Sequence, residues 1–303
     1  MARRMPRRPR LHVPGGLYHV ILRGNGRQTI FFDVDDRRRW ESLIEEGVSR
    51  YAHRIHAYCW MTNHIHLAIQ SHDIPLSKFV GFVASQYARS TNKKIDRSGH
   101  LFERRYRAIL VQADSYLKEL IRYIHQNPLR AGIVDDLTDY QWSSHLAYMQ
   151  NKQPNWLTLN WVLSMFGDTV ANARQQYTRF MQITCPEDIY RSLGCGMDSD
   201  QRILGDDGFQ ASLGSELTQP SIQRTLMELT QQNCRKYKIS DAKLVSDSRD
   251  RLYSRIRAEI GLAAIEGGIA TNAEIAIFFN RSQSGMSRAI NRLKNQIGKQ
   301  VNM

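Results

Sequence analysis

Two seven-residue runs, "IHAYCWM" and "HIHLAIQ", meet at Thr62-Asn63, and this pairing predicts a β-hairpin. Alternate side chains of a strand share a face, so Ile65, Leu67 and Ile69 point one way while His64, His66 and Ala68 point the other. The apolar trio marks the core side. The two histidines are therefore expected on the sheet's open face, close enough for both imidazoles to hold one cation. Two surface histidines with no ligand fit the same spacing.

Around the hairpin the pattern alternates between period two and period 3.6. "LYHVILRGN" reads as a strand closed by a turn at Gly24-Asn25-Gly26. "DVDDRRRWESLIEEGVSRYAHR" reads as a helix capped by Asp33, Asp35 or Asp36, with Trp40, Leu43, Ile44, Val48 and Tyr51 on one stripe. A second helix follows Pro75, carrying Phe79, Phe82, Val83 and Tyr87 inward. "HLFERRYRAILVQ" is expected as a strand, and "ADSYLKELIRYIHQNPLRAG" as a helix capped by Asp114 and stopped at Pro128. This order predicts an α+β fold: a ferredoxin-like or RRM-like antiparallel sheet with helices on one face.

Residues 151–240 read as a helical extension and linker, with the Gly, Ser and Asp-rich stretch after Gly194 holding a boundary. Residues 241–303 read as an all-α region with helix-turn-helix patterning over "ATNAEIAIFFNRSQSGMSRAINRL". There Ala273, Ile275 and Ala276 are expected to pack against Met286, Ala289, Ile290 and Leu293. A trihelical bundle used only for packing has the same pattern.

Charge narrows the partner. The 303 residues carry a formal net charge of +13, well beyond what solubility needs, and predict attraction to a polyanion. Nucleic acid fits better than a membrane surface, because no basic amphipathic helix with exposed bulky apolar residues stands out. Arg23, Arg27, Arg104, Arg105 and Arg107, with the arginines of "MARRMPRRPR", suit DNA phosphates, although a solvated face accounts for any one of them equally. The arginine-rich opening leads into a Pro-Gly break and reads as no secretory signal. The four cysteines have no metal or disulfide spacing, which fits a reducing cytoplasm.

Near residue 120, Tyr123 and Asn127 fall about 40° apart and one turn separated on a helix. They are either a structural pair or a nucleophile with a third metal ligand. Tyr116, the rival tyrosine, lies about 16 Å along the axis from Asn127. His125 reads as a surface or DNA-facing side chain, and His100 as a turn residue or DNA contact.

The segments "YHVILRGN", "AYCWMTNHIHLAIQ", "SGHLFERRYRAILV", "RYIHQNPLRAGIV" and "WSSHLAY", in that order, resemble the single-tyrosine HUH transposases, in particular the REP-associated tyrosine transposases. The resemblance covers about the first 150 residues and implies that residues 1–150 form a catalytic domain with a basic N-terminal arm. It implies Mg²⁺ or Mn²⁺ bound by His64, His66 and Asn127, with Tyr123 as the nucleophile. The implied activity is nicking and strand transfer on single-stranded, hairpin-forming, REP-like DNA through a 5′-phosphotyrosine. The C-terminal stretch resembles the DNA-binding domain of bacterial replication initiators. It implies duplex contacts by Gln283, Ser284, Ser287, Arg288 and Arg292. Two other readings share these features: a non-catalytic DNA-binding regulator, and a rolling-circle or relaxase-type nickase. No membrane is expected as partner, and a monomer or a homodimer, nucleoid-associated in the cytoplasm, is compatible with the sequence.

Overall fold

The computed structural model describes residues 10–150, 153–213, 222–246, 248, 250–266 and 269–301. The first nine residues, which hold most of the basic arm, lie outside them. No helix among the described residues is long and apolar enough to cross a membrane.

The chain divides into two compact units, residues 1–219 and 220–303. Among the described residues, five strands make one sheet in the order β2-β3-β1-β4-β5. They are β1 (Leu17–Arg23), β2 (Arg54–Trp60), β3 (His64–Gln70), β4 (Arg107–Val111) and β5 (Ile203–Leu204). The first four pair antiparallel, with β1 between β3 and β4. Helices α1 (Val34–Tyr51) and α2 (Leu76–Lys94) complete the expected ferredoxin-like order. Asp33 caps α1 by accepting the Asp36 N–H at 2.9 Å, an interaction that contributes about 1 kcal/mol.

One face of the sheet meets α1 and α2. Trp40 of α1 packs edge-on to Trp60 of β2, ring centroids 5.9 Å apart, and both are fully buried. Each such ring contributes roughly 2–3 kcal/mol through apolar burial. Gly47 lets the two helices approach, since a Cβ there would stand 2.7 Å from the Phe79 ring.

The opposite face, expected to be open, is covered. Helix α3 (Ala113–Arg130) lies across it, with Leu117, Leu120, Ile121 and Ile124 fully buried. The segment after 150, expected as an extension outside the domain, adds to the same core. It follows α4 (His145–Met149) and contributes α5 (Asn160–Ser164), α6 (Val170–Met181), α7 (Glu187–Cys195), β5 and α8 (Asp207–Ser212). Leu157, Val162, Tyr177, Leu193 and Ile203 are all buried with the sheet residues. β5 joins β4 in parallel, so the sheet is mixed. The boundary therefore falls at 219–220, later than 150 and earlier than 240, because the apolar faces of residues 156–213 have their partners in the first unit.

Two local readings also change. Helix α3 passes through Pro128 and ends at Arg130. The proline sits in the last turn, where its missing N–H removes the helical bond to the Ile124 carbonyl, and the Asn127 side-chain amide donates to the Tyr123 carbonyl at 2.6 Å. Its N-cap is Gln112, which places Asp114 inside the first turn. Strand β4 begins only at Arg107. Before it the chain crosses the end of β1 through a bridge from Gly24 to Phe102, so Arg104 and Arg105 lie on a bend.

The second unit holds α9 (Ile222–Tyr237), α10 (Asp241–Val245), α11 (Arg251–Glu266), α12 (Asn272–Phe278) and α13 (Gln283–Val301). Its core joins Leu226, Ile256, Ile260, Ile275, Phe279, Met286 and Ile290. A capping box, Thr271 with Glu274, starts α12, and the chain turns through Arg281 and Ser282 into α13.

Candidate active site

The register of β1 on β3 places Ile21 opposite His66 and His19 opposite Ala68, so His19, His64 and His66 share the face that α3 covers. A cleft of about 1090 Å³ opens there. It gathers His64, His66, Tyr123 and Asn127 from two elements, with Arg23, Arg104, Arg105 and Arg107 on its walls. Arg27 stands beside it, sharing a smaller recess with Arg23, Asn63 and His64.

The rings of His64 and His66 lie 4.9 Å apart, and the Tyr123 ring is 5.5 Å from that of His66. His66 is 3% exposed and not solvent-facing, because α3 and α7 close over it, whereas His64 is half-buried. Burial, and then the Arg23 charge, hold His64 down to about 4. Burial also keeps His66 well below its ordinary value, and brings His19 to about 4. All three are neutral at pH 7, the form in which imidazole binds a metal.

The donor set suits a small divalent ion. Asn63 donates through Nδ2 to the Arg27 carbonyl, so its Oδ1 faces His64 and accepts from His64 Nδ1–H at 2.6 Å. That bond leaves His64 Nε2 with a lone pair. His66 Nε2 is buried with no hydrogen-bond partner among the described residues. Asn127, whose Nδ2 is committed to the Tyr123 carbonyl, keeps its Oδ1 near the Tyr190 hydroxyl at 3.5 Å. Among the described residues no group of three His, Cys, Asp or Glu is placed to hold a metal.

Tyr123 is 5% exposed. Burial raises its phenol far above the ordinary value, and Tyr190 adds to the shift. Tyr190, from α7, lies 4.4 Å from the Tyr123 ring, with the Arg130 guanidinium 3.6 Å from the centre of its own ring. Gly194 leaves room for the phenol, since a Cβ there would be 3.3 Å from its oxygen. Tyr116 instead packs at the rim of the first core.

Residues 12–127 match a family model described as "Transposase IS200 like". Over this stretch the chain is similar to the IS200-like transposases. The match includes both histidines and Tyr123 and ends on Asn127, so these four cleft residues lie in the matched stretch, and the activity of such a family is enzymatic. A curated relative, the "Putative REP-associated tyrosine transposase" of Haemophilus influenzae, is 24% identical over 141 residues, spanning 43% of this chain and 80% of its own. A solved structure described as "the REP associates tyrosine transposase bound to a REP hairpin" is 15% identical, covering 51% of this chain and 92% of that one, with a TM-score of 0.43.

Several residues of the cleft were not singled out from sequence. His19 sits in the quoted "YHVILRGN", and its parity with Ile21 on β1 was the available signal. Tyr190 and Arg202 reach the cleft only through packing of α7 and the β5 segment, which no local pattern announces, whereas Arg130 ends α3 three residues after Asn127. His125, expected at the surface, is fully buried and bonds Ser144 Oγ at 2.6 Å and the Tyr177 hydroxyl at 2.9 Å.

In the second unit Gln283, Ser284, Arg288 and Arg292 are exposed and Ser287 is half-buried. They occupy the side of α13 away from Met286, Ile290 and Leu293, which face the core.

Proposed function

We propose that the transposase domain nicks and rejoins single-stranded, hairpin-forming, REP-like DNA, with Tyr123 as nucleophile and His64, His66 and Asn127 as ligands of Mg²⁺ or Mn²⁺. The observation that carries this reading is the convergence of one phenol, two imidazole lone pairs and one amide oxygen on a single arginine-walled cleft. When bound, the cation would neutralise the non-bridging oxygens of the scissile phosphate.

The chain's own groups supply the rest. Arg23, Arg104, Arg105 and Arg107 draw the phosphate backbone into the cleft. The Tyr123 oxygen attacks phosphorus, forming the Tyr Oη–P bond as the P–O3′ bond breaks. The phenol loses its proton and the departing 3′ oxygen gains one, giving a 5′-phosphotyrosine and a free 3′-OH. Attack by another 3′-OH reverses the step, so joining needs no nucleoside triphosphate.

For the second unit, the exposed polar face of α13 supports duplex binding by a helix-turn-helix, with Gln283, Ser284, Ser287, Arg288 and Arg292 toward the DNA. A regulator built on this unit alone would leave the cleft without a role.

The test is incubation of the protein and Mn²⁺ with labelled single-stranded hairpin oligonucleotides from the flanks of its own gene, followed by a denaturing gel. A covalent adduct is expected. Tyr123→Phe should abolish it while hairpin binding persists, and an adduct retained by that variant overturns the assignment of the nucleophile.

A further inference from the structure

Behind His66 lies a second histidine that the nicking and joining steps do not use. His19 is fully buried, its ring side by side with that of His66, centroids 5.1 Å apart and planes 22° from parallel, and edge-on to Tyr123 at 5.0 Å. Its Nδ1 is 2.8 Å from the Leu193 carbonyl, and its Nε2 is 2.9 Å from His66 Nδ1.

Only one arrangement of protons satisfies both contacts with neutral rings. A carbonyl oxygen accepts and cannot donate, so His19 Nδ1 carries the hydrogen. A neutral imidazole has one N–H, so His19 Nε2 bears a lone pair. His66 Nδ1 must then donate to it, which leaves His66 Nε2 bare. That is the atom with no partner among the described residues, on a ring that lines the cleft. Free histidine favours the opposite tautomer, with hydrogen on Nε2, and such a ring presents no lone pair at that atom.

The carbonyl that starts the chain is available for a structural reason. Leu193 lies near the C-terminus of α7, where the last carbonyls have no helical partner. The Met197 N–H, which would continue the helix, bonds Ile203 instead. Residues beyond the stretch matched by the family model thus reach the metal ligand through one intervening side chain.

We propose that His19 is a positioning residue: held by the Leu193 carbonyl, it fixes His66 as the Nδ1–H tautomer and so presents Nε2 to the divalent cation. The inference rests on the ligand assignment under the proposed function, and its test separates the two. Full-length protein labelled with ¹⁵N-histidine and free of metal is examined by NMR at pH 7.5, with His66 assigned by the signals that vanish in His66→Asn. His66 and His19 should both show hydrogen on Nδ1. In His19→Phe, which keeps a ring but removes the acceptor, His66 should shift toward the Nε2–H form. Mn²⁺ affinity measured by calorimetry should then fall on the order of 10–100-fold. His19→Gln, whose amide oxygen can take the place of Nε2, should recover most of that affinity. A wild-type His66 found as Nε2–H overturns the proposal without recourse to any variant. So does a folded His19→Phe that binds Mn²⁺ within about twofold of wild type. A wild-type His66 with bare Nε2 in a protein that binds no Mn²⁺ would instead leave the tautomer relay standing and remove the ligand assignment.

Discussion

His64 and His66 are two residues apart on one face of β3, yet they sit in different surroundings, and that difference separates activity from folding. His64 is half-buried, and its ring hydrogen-bonds the adjacent Asn63. His64→Ala should therefore lose adduct formation in Mg²⁺ or Mn²⁺ while its thermal midpoint stays within a few degrees of wild type. His66 is closed over by α3 and hydrogen-bonded to His19. His66→Ala should lose the adduct and also destabilise the fold by about 1–3 kcal/mol, because it leaves the buried His19 Nε2 unpaired. Chemical denaturation of both variants decides the matter, and equal stability losses would sink the distinction. The strand's alternation correctly groups the two histidines on one face. It gives no measure of their burial, because the helix that covers them lies more than forty residues further along the chain.

At the scale of elements, α3 is tied to α4 and α6 by a buried chain of polar groups. His125 bonds Ser144 and Tyr177, and the Tyr177 hydroxyl also meets His145 Nδ1 at 2.6 Å. Burial brings His145 down to about 4, against a smaller opposing pull from Asp136, and pushes His125 well below its ordinary value. These are depressed pKa values, so the unfolded chain takes up protons first as the pH drops. Stability is then complete above pH about 6.5 and declines as the pH falls toward 4. His145 alone accounts for roughly 3 kcal/mol of that loss, and His53, also held at about 4, acts in the same direction. Urea midpoints measured from pH 7.5 to 4.5 should fall steadily, and a flat profile would refute this account. The elements themselves were largely legible. The hairpin, α1, α2 and the helices around the turn at Arg281–Ser282 follow from period, caps and turn residues. Strand β5 is two residues long, too short to carry a period. Helix α3 runs through Pro128 with its last turn held by packing, Ile124, Asn127 and Pro128 all being buried, which residue type alone does not convey. Tyr190 and the Leu193 carbonyl enter the site through packing between distant segments.

At the scale of the whole chain, the two units should be separable, and only at their own boundary. A fragment ending at residue 150 lacks Trp156, Leu157, Val162, Tyr177 and Leu193, all buried in the first core. It would expose Tyr58, which packs at 5.2 Å on Trp156, and Tyr148, which stacks at 4.9 Å on Tyr177. No cooperative urea transition is expected of it. A fragment ending at 219 keeps the complete sheet, α7 and the His19–His66 pair, and should unfold cooperatively and form the covalent adduct on hairpin DNA as the full chain does. A fragment ending at 150 that melts cooperatively and forms the adduct would show that α7 is dispensable. The second unit is tested in the intact protein. Arg288 and Arg292 are exposed on α13, so the double replacement Arg288→Ala with Arg292→Ala should leave the adduct unchanged. Duplex binding should weaken, and the dependence of its affinity on salt should shrink by about one counterion for each phosphate that is no longer neutralised. If duplex affinity and its salt slope are unaltered, α13 does not face DNA, and the polar side of that helix is only a solvated surface.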